Sequence, residues 1–346
     1  MNSPQQQPRS RRRTWLFRCG YVLYLMVLAL IGVKLFLWLG FGIPPTESTD
    51  DLDVLQYYYR EFGESGVLDR SAKAHSDRFD VLLLGGSVLE QAAPALEKRL
   101  RGRFGDRLRI YNLAIAAHTT RDSYLKYFHI DDRSFDLIVI YHGINDVRMN
   151  CVAESEFRTD YTHCAWYNSL RRRVAAGRVN LAQLLTDQVE RLIPLDQPDT
   201  ELLRFGQLIK TPPAFHANLD AIVTDAGQHK CPVLLLTFAF HLPDDYTRER
   251  FENGELDYGD GLHRLAAEVW GLPDSVRAGI MAHNRQVRRV AASRANVTLV
   301  PLDEILPKTG RIFSDVCHLT PVGCREFARH ATGGMPSQFP IHDSSE

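Results

Sequence analysis

Five short runs along the chain are apolar almost without interruption: 79–84, 108–113, 137–141, 233–238 and 297–301. Unbroken apolar character over four to six residues is what a parallel strand shows when both faces of its sheet are covered. Between these runs the period changes. Residues 89–100, 215–226 and 277–294 carry apolar side chains at helical spacing, as Leu219, Ile222, Val223 and Ala226 do in the second. Alternation of this kind predicts a doubly wound α/β domain with a mostly parallel, five-stranded sheet. Ligands in such sheets bind beyond the carboxyl ends of the strands, where Ser87, Asn145 and His241 fall.

Two stretches depart from the alternation. From Cys19 to Phe41 every residue but Lys34 is uncharged and mostly apolar. As a helix this run reaches roughly 35 Å, enough for a hydrocarbon core of about 30 Å. Trp15 and Trp38 suit its two interfaces, and Lys34 lies where its ammonium can snorkel outward. The arginines at 9, 11, 12 and 13 favour a cytoplasmic N-terminus, with the body periplasmic or extracellular. No small-x-small cleavage site clearly follows, so an uncleaved anchor is expected. The second departure is an insert over 151–211. Its stretch 168–192 places Leu170, Val174, Leu181, Leu184, Leu185, Val189 and Leu192 in helical phase. A helical packing insert is the favoured reading and a lid over the site the other.

Charge sharpens this organisation. Residues 1–43 hold six basic side chains and no acid, which leaves 35 basic and 42 acidic groups beyond them. A mildly acidic body without a basic stripe excludes nucleic acid as a partner. Six cysteines occur without C-x-x-C spacing, so a structural zinc site is not expected. In an oxidising compartment Cys151–Cys164 is the easier bridge and Cys317–Cys324 the harder to close, with unpaired buried thiols an equal alternative for each pair.

Three fragments carry chemistry. Gly85-Gly86-Ser87 ends the first strand and opens a helix, which presents a hydroxyl beside free backbone N–H groups. By itself it is more readily an ordinary helix-capping serine. Gly143-Ile144-Asn145-Asp146 ends the third strand; Asn145 offers an amide to a developing oxyanion, and Gly143 lets backbone and substrate approach. Asp146 reads as a cap on the turn that follows. Asp315-Val316-Cys317-His318 comes after the last strand. Its carboxylate and imidazole, three apart on one helical turn, can pair so that Asp315 orients His318 and stabilises its protonated form. Thr320-Pro321 then opens another helix. His241, at the end of the fourth strand, is a weaker substrate-binding candidate. Tyr141, His142 and His118 read as packed side chains. Gly-x-Ser-x-Gly, P-loop and dinucleotide-binding fingerprints are absent.

Taken in order, Gly86-Ser87, Asn112-Leu113-Ala114-Ile115-Ala116-Ala117, Gly143-Ile144-Asn145-Asp146 and Asp315-Val316-Cys317-His318 resemble the four blocks of the SGNH (GDSL-type) hydrolases. The resemblance covers residues 78–335. It implies a flavodoxin-like three-layer α/β/α sandwich and ester hydrolysis without metal or cofactor. It also implies a Ser87–His318–Asp315 triad, with an oxyanion hole formed by the Ser87 N–H, the Ala117 N–H and Asn145. Two positions depart from the family pattern: Gly86 replaces the Asp of Gly-Asp-Ser, and Ala117 replaces the glycine of the second block.

The expected organisation is therefore a basic tail (1–14), an anchor (15–43), a stalk and lead-in helix (44–77), the hydrolase-like domain (78–335) and a short tail (336–346). The expected activity is that of an envelope serine esterase acting on an ester-bearing small molecule, lipid or glycan. An O-acyltransferase using the same triad and an inactive envelope scaffold are the alternatives.

Overall fold

The computed structural model describes residues 11–41, 55–56, 58–69, 78–176 and 200–335. Two compact units divide the chain at residues 49 and 50. The described residues of the first form the helix α1 (Arg11–Phe41), whose side chains over 20–35 are exposed. Among the described residues no helix is long and apolar enough to cross a membrane. The transmembrane reading of 15–43 is thus not supported here, and several of its side chains (15–17, 19 and 36–41) lie outside the described residues.

The second unit is built on five parallel strands: β1 (Phe79–Gly85), β2 (Leu108–Asn112), β3 (Leu137–Tyr141), β4 (Val233–Leu236) and β5 (Val297–Val300). They lie in the order β2-β1-β3-β4-β5, with every neighbouring pair parallel. All five runs expected from the apolar pattern are strands, each within two residues of the expected ends. The alternation of side chains along a strand divides the core. Val81, Leu83, Val139, Tyr141, Leu234 and Leu236 face one layer, while Leu82, Leu84, Ile138, Ile140, Val233 and Leu235 face the other. The central strands β1, β3 and β4 are buried on both faces and read as nearly continuous apolar runs, whereas the edge strands β2, with Arg109 exposed, and β5 are only partly covered.

Helices cover the two faces. On the first lie α3 (Ser87–Phe104), through Leu89, Ala92 and Leu96, and α12 (Pro321–Gly333), through Phe327 and Ala328. On the second lie α4 (Thr120–Phe128), through Tyr127, and α8 (Pro212–Gln228), through Phe215, Leu219, Ile222 and Val223. The long helix α10 (Pro273–Ser293) straddles the two, giving Val276 and Ile280 to the first and Val287 and Val290 to the second. Short helices complete the unit: α2 (Glu61–Ser65), α5 (Ile144–Arg148), α6 (Ala165–Ala176), α7 (Thr200–Phe205), α9 (Arg248–Glu252) and α11 (Leu302–Ile305). With this strand order the chain leaves β1 for β2 on one side and reaches β3 on the other. The switch point therefore lies at the carboxyl ends of β1 and β3, where Ser87 and Asn145 follow.

The described part of the insert packs on this body. Tyr167 donates its hydroxyl proton to Asp122, and Tyr161 donates to Asp146 at 2.9 Å. Residues 177–192 of the expected helical stretch lie outside the described residues, as do the stalk over 42–54 and the tail over 336–346. Of the two readings for the cysteines the structure shows the unpaired one: Cys151, Cys164, Cys317 and Cys324 are free thiols. Cys151 points its sulfur at the Trp270 carbonyl, 3.7 Å away, and Cys324 at that of Gln91, also 3.7 Å away. Cys164 packs in the small apolar cluster around Tyr161 and Tyr167.

Candidate active site

Ser87 is the first residue of α3, capped by Gly86. Gly86 has an ordinary φ of −101°, so glycine is required here for space. A Cβ at this position would lie 2.6 Å from the Asn145 amide nitrogen and 3.2 Å from the His118 carbonyl oxygen. The close approach of three chain segments, from β1, β3 and the turn after β2, thus depends on a missing side chain. A family-type aspartate at position 86 would collide with Asn145 as these segments now sit.

The histidine arrives from the far end of the chain. Residues 314–318 form a tight loop closed by a β-bridge between Phe313 and Leu319 and by donation from the Ser314 N–H to the His318 carbonyl at 2.9 Å. Asp315 and His318 therefore meet across a loop and not along a helical turn. Asp315 is fully buried, and its two oxygens accept four N–H donors. Oδ1 takes the backbone N–H groups of Cys317 (2.9 Å) and His318 (2.8 Å), while Oδ2 takes the Leu265 N–H (2.8 Å) and His318 Nδ1 (2.7 Å). A carboxylate only accepts, so the imidazole proton sits on Nδ1 and the Nε2 lone pair is left for Ser87. That pair is 2.9 Å apart, with Ser87 7% and His318 2% exposed. Ser87 is thus recessed and not the surface serine its helix-start position suggests.

Asp315, Cys317 and His318 also place carboxylate, thiol and imidazole donor atoms within 4.8 Å of one another. The carboxylate is already saturated by N–H groups, and burial, followed by the neighbouring Asp315, pushes the Cys317 thiol well up. A metal ligand would need the thiolate. This cluster is a hydrogen-bonded relay with a packed thiol beside it.

Asn145 sits on α5 with its amide held on both sides. Oδ1 accepts from the buried Trp270 indole Nε1–H at 3.1 Å, and Nδ2 donates to the His118 carbonyl at 2.9 Å. A primary amide has two N–H bonds, so one remains. The indole fixes which end of the amide is nitrogen. Trp270 also lies with its ring centroid 6.0 Å from that of His318, linking the two halves of the site.

Ala117 lies exposed in the turn between β2 and α4, with φ at 65°. The turn closes by donation from the His118 N–H to the Ile115 carbonyl at 3.2 Å. A positive φ at the third turn position is ordinarily glycine's, and alanine there costs about 1–2 kcal/mol. Ala117→Gly is expected to stabilise the protein by about 1 kcal/mol after glycine's own chain-entropy cost. Chemical denaturation checks this, and a destabilised variant would contradict the strained-turn reading.

Several other candidates have different work. Gly143 was expected to admit substrate. Instead a Cβ there would strike the Phe238 ring at 2.3 Å, and its carbonyl accepts from the buried His283 Nδ1 at 2.9 Å. His241 is not directed at the Ser87–His318 pair: its Nε2 meets the Asp257 carbonyl at 3.0 Å, and its ring lies beside Tyr258 and Phe313. Asp146 is structural, as expected, but caps a different helix. It accepts the Thr120 N–H (3.0 Å) and hydroxyl (2.6 Å) at the start of α4. Burial, partly offset by those donors, raises its pKa to about 7. His142 bonds Ser123 at 2.7 Å, and burial lowers its pKa to about 3. Tyr141 accepts the Ala239 N–H at 3.0 Å.

Sequence reasoning passed over three contributors. Gln91 lies one helical turn beyond Ser87 on α3 and clamps the residue after the histidine. Its Nε2 donates to the Leu319 carbonyl (2.6 Å), and its Oε1 accepts the Leu319 N–H (3.0 Å). The i, i+4 spacing from Ser87 was the available signal. Trp270 carried no signal beyond its rarity. Lys126 is fully buried: its ammonium donates to Glu61 Oε1 (3.0 Å), to His118 Nδ1 (2.9 Å) and to the Leu113 carbonyl. It fastens the second-block turn to the lead-in segment. Burial and this cation lower the His118 pKa to about 3.

No protein-family model matches the chain, and no curated protein does. Solved structures do resemble it. A GDSL-like lipase from Bacteroides thetaiotaomicron aligns over 81% of this chain and 97% of its own, at 14% identity and a TM-score of 0.45. An α/β hydrolase enzyme from the metagenome of Lake Arreo, Spain, aligns over 78% and 100%, at 17% identity and a TM-score of 0.43. An acetylxylan esterase from Geobacillus stearothermophilus aligns over 76% and 97%, at 13% identity and a TM-score of 0.44.

Proposed function

We propose that this chain is a serine esterase of the SGNH type, with Ser87 as nucleophile, His318 as general base and acid, and Asp315 as the group that orients His318. The observation that carries the reading is the unbroken path from Ser87 Oγ through His318 Nε2 (2.9 Å) and from Nδ1 to Asp315 Oδ2 (2.7 Å). Ser87 Oγ forms a bond to the ester carbonyl carbon as its proton passes to Nε2, and the carbonyl π pair moves onto oxygen. Asp315 stabilises the imidazolium so formed. The oxyanion meets the Ser87 N–H at the head of α3 and the second N–H of Asn145, with the Ala117 N–H as the third donor. The bond from the carbonyl carbon to the alcohol oxygen then breaks, and that oxygen takes the proton from Nε2. Water repeats the sequence on the acyl-enzyme and releases the acid.

Asn145→Ala tests the oxyanion assignment. With a short-chain aryl ester, kcat should fall on the order of 10²–10³-fold with little change in KM, because the contact is made in the transition state. An equal kcat and a raised KM would move Asn145 to a ground-state binding role.

The reading places the domain on the outer side of a membrane, tethered by the N-terminal segment. Its supports are the apolar run 19–41 and the arginines before it. An alkaline phosphatase fused after residue 346 should be active; an inactive fusion, with a cytoplasmic reporter active at the same junction, would reverse the topology. The ester of an envelope small molecule, lipid or glycan is the substrate class this placement offers.

A further inference from the structure

The leaving alcohol in this mechanism must reach His318 Nε2 to take its proton, so whatever flanks that ring on its accessible side meets the alcohol part of the substrate. Of the groups around His318, Asp315 and Trp270 are buried, whereas the half-buried His263 lies with its ring centroid 4.6 Å from that of His318, tilted by 43°. The segment that carries His263 is laced to the triad loop. The Gly259 N–H donates to the Phe313 carbonyl (2.9 Å), the Ser314 hydroxyl to the His263 carbonyl (2.9 Å) and the Leu265 N–H to Asp315 (2.8 Å). At Gly261 a Cβ would collide with the Ser314 side chain at 2.5 Å, so the segment lies flat against it. His263 is therefore held beside His318 by hydrogen bonds to the loop that carries the triad, one of them to Asp315 itself.

We infer that His263 forms the alcohol-side subsite of this esterase and that the alcohol it receives is a carbohydrate. The inference rests on the serine-esterase reading. Among the described residues no group hydrogen-bonds the His263 ring nitrogens, and the backbone carbonyl alone is engaged. Burial, followed by the adjacent His318, lowers the His263 pKa. A neutral imidazole offers one donor and one acceptor, which matches a hydroxyl; an anionic headgroup would call for a cation. On either side Leu262 is 78% exposed and Leu265 is 40% exposed. Apolar surface beside a hydroxyl-matching ring suits a sugar, which presents C–H faces and hydroxyls together.

The test compares methyl 6-O-acetylglucoside with cyclohexylmethyl acetate, a carbocycle of similar shape without hydroxyls. For His263→Ala, KM for the sugar ester should rise about five- to tenfold, the usual scale of one neutral hydrogen bond, with kcat within twofold. Cyclohexylmethyl acetate turnover and the rate of fluorophosphonate labelling at Ser87 should stay within twofold of wild type. His263→Gln, which keeps a donor and an acceptor, should recover part of the loss. Equal losses on both esters would mean that His263 acts only through His318 and would overturn the subsite. So would a wild-type enzyme that cleaves cyclohexylmethyl acetate but not the sugar ester. Absence of labelling in the wild type would instead remove the serine-esterase reading beneath it.

Discussion

Ser87→Ala is expected to lower turnover of a short-chain aryl ester by at least about 10⁴-fold while leaving the protein folded. The size of the effect follows from what the hydroxyl does: it forms the covalent bond, and the remaining donors can only polarise the ester toward water. Folding should survive because, among the described residues, the hydroxyl bonds His318 alone, and the backbone at the start of α3 is unchanged. The melting temperature should move by no more than about 2 °C, since removing a poised active-site group often costs no stability. Steady-state kinetics and a thermal melt together check this. Activity that persists with an intact fold would mean that another nucleophile operates.

His318→Ala should cost nearly as much, again about 10⁴-fold or more, because among the described residues no other base is hydrogen-bonded to the Ser87 hydroxyl. His118 is engaged with Lys126, His142 with Ser123 and His241 with Asp257. His263 stands beside His318, but its ring contact is with that imidazole. Asp315→Ala should retain more turnover than His318→Ala, since Asp315 transfers no proton. It should nevertheless destabilise the fold more, because three backbone N–H groups, those of Leu265, Cys317 and His318, lose a buried acceptor. Turnover and denaturation measured on the same pair separate the two roles. A His318→Ala variant that keeps a tenth of the wild-type rate would place the base elsewhere.

Much of this was legible in the sequence, for physical reasons. Strands β1, β3 and β4 are buried on both faces and the edge strands β2 and β5 on part of theirs, so the five largely apolar runs 79–84 to 297–301 stand out against the amphipathic helices between them. The strand ends then locate Ser87 and Asn145, because a parallel sheet carries its functional groups at that edge. Asp315 and His318 were legible as a pair, but their geometry was not. The spacing alone suggested a helical turn, whereas the Asp315 oxygens cap the N–H groups of Cys317 and His318 and bend the chain into a loop.

What escaped the sequence depends on long-range packing. Gln91 and Leu319 are 228 positions apart, and Trp270 and Asn145 are 125 apart. No local period encodes such a meeting. Lys126 was hidden because a lysine on an amphipathic helix ordinarily points to water; here Glu61, the His118 ring and the Leu113 carbonyl replace that water. Gly143 was legible as a glycine in need of space but not as to what fills it, which proves to be Phe238. The bridge between Cys151 and Cys164 looked easy to close by spacing alone, yet each sulfur has found a packed environment of its own.

The central claim is that Ser87 is an activated nucleophile, and labelling with a fluorophosphonate tests it most directly, since the reagent needs an activated serine but no knowledge of the substrate. Wild-type protein should gain one phosphonyl group, mapped by peptide mass spectrometry to Ser87, and Ser87→Ala should gain none. Labelling that maps to another residue, or that persists unchanged in Ser87→Ala, would contradict the account.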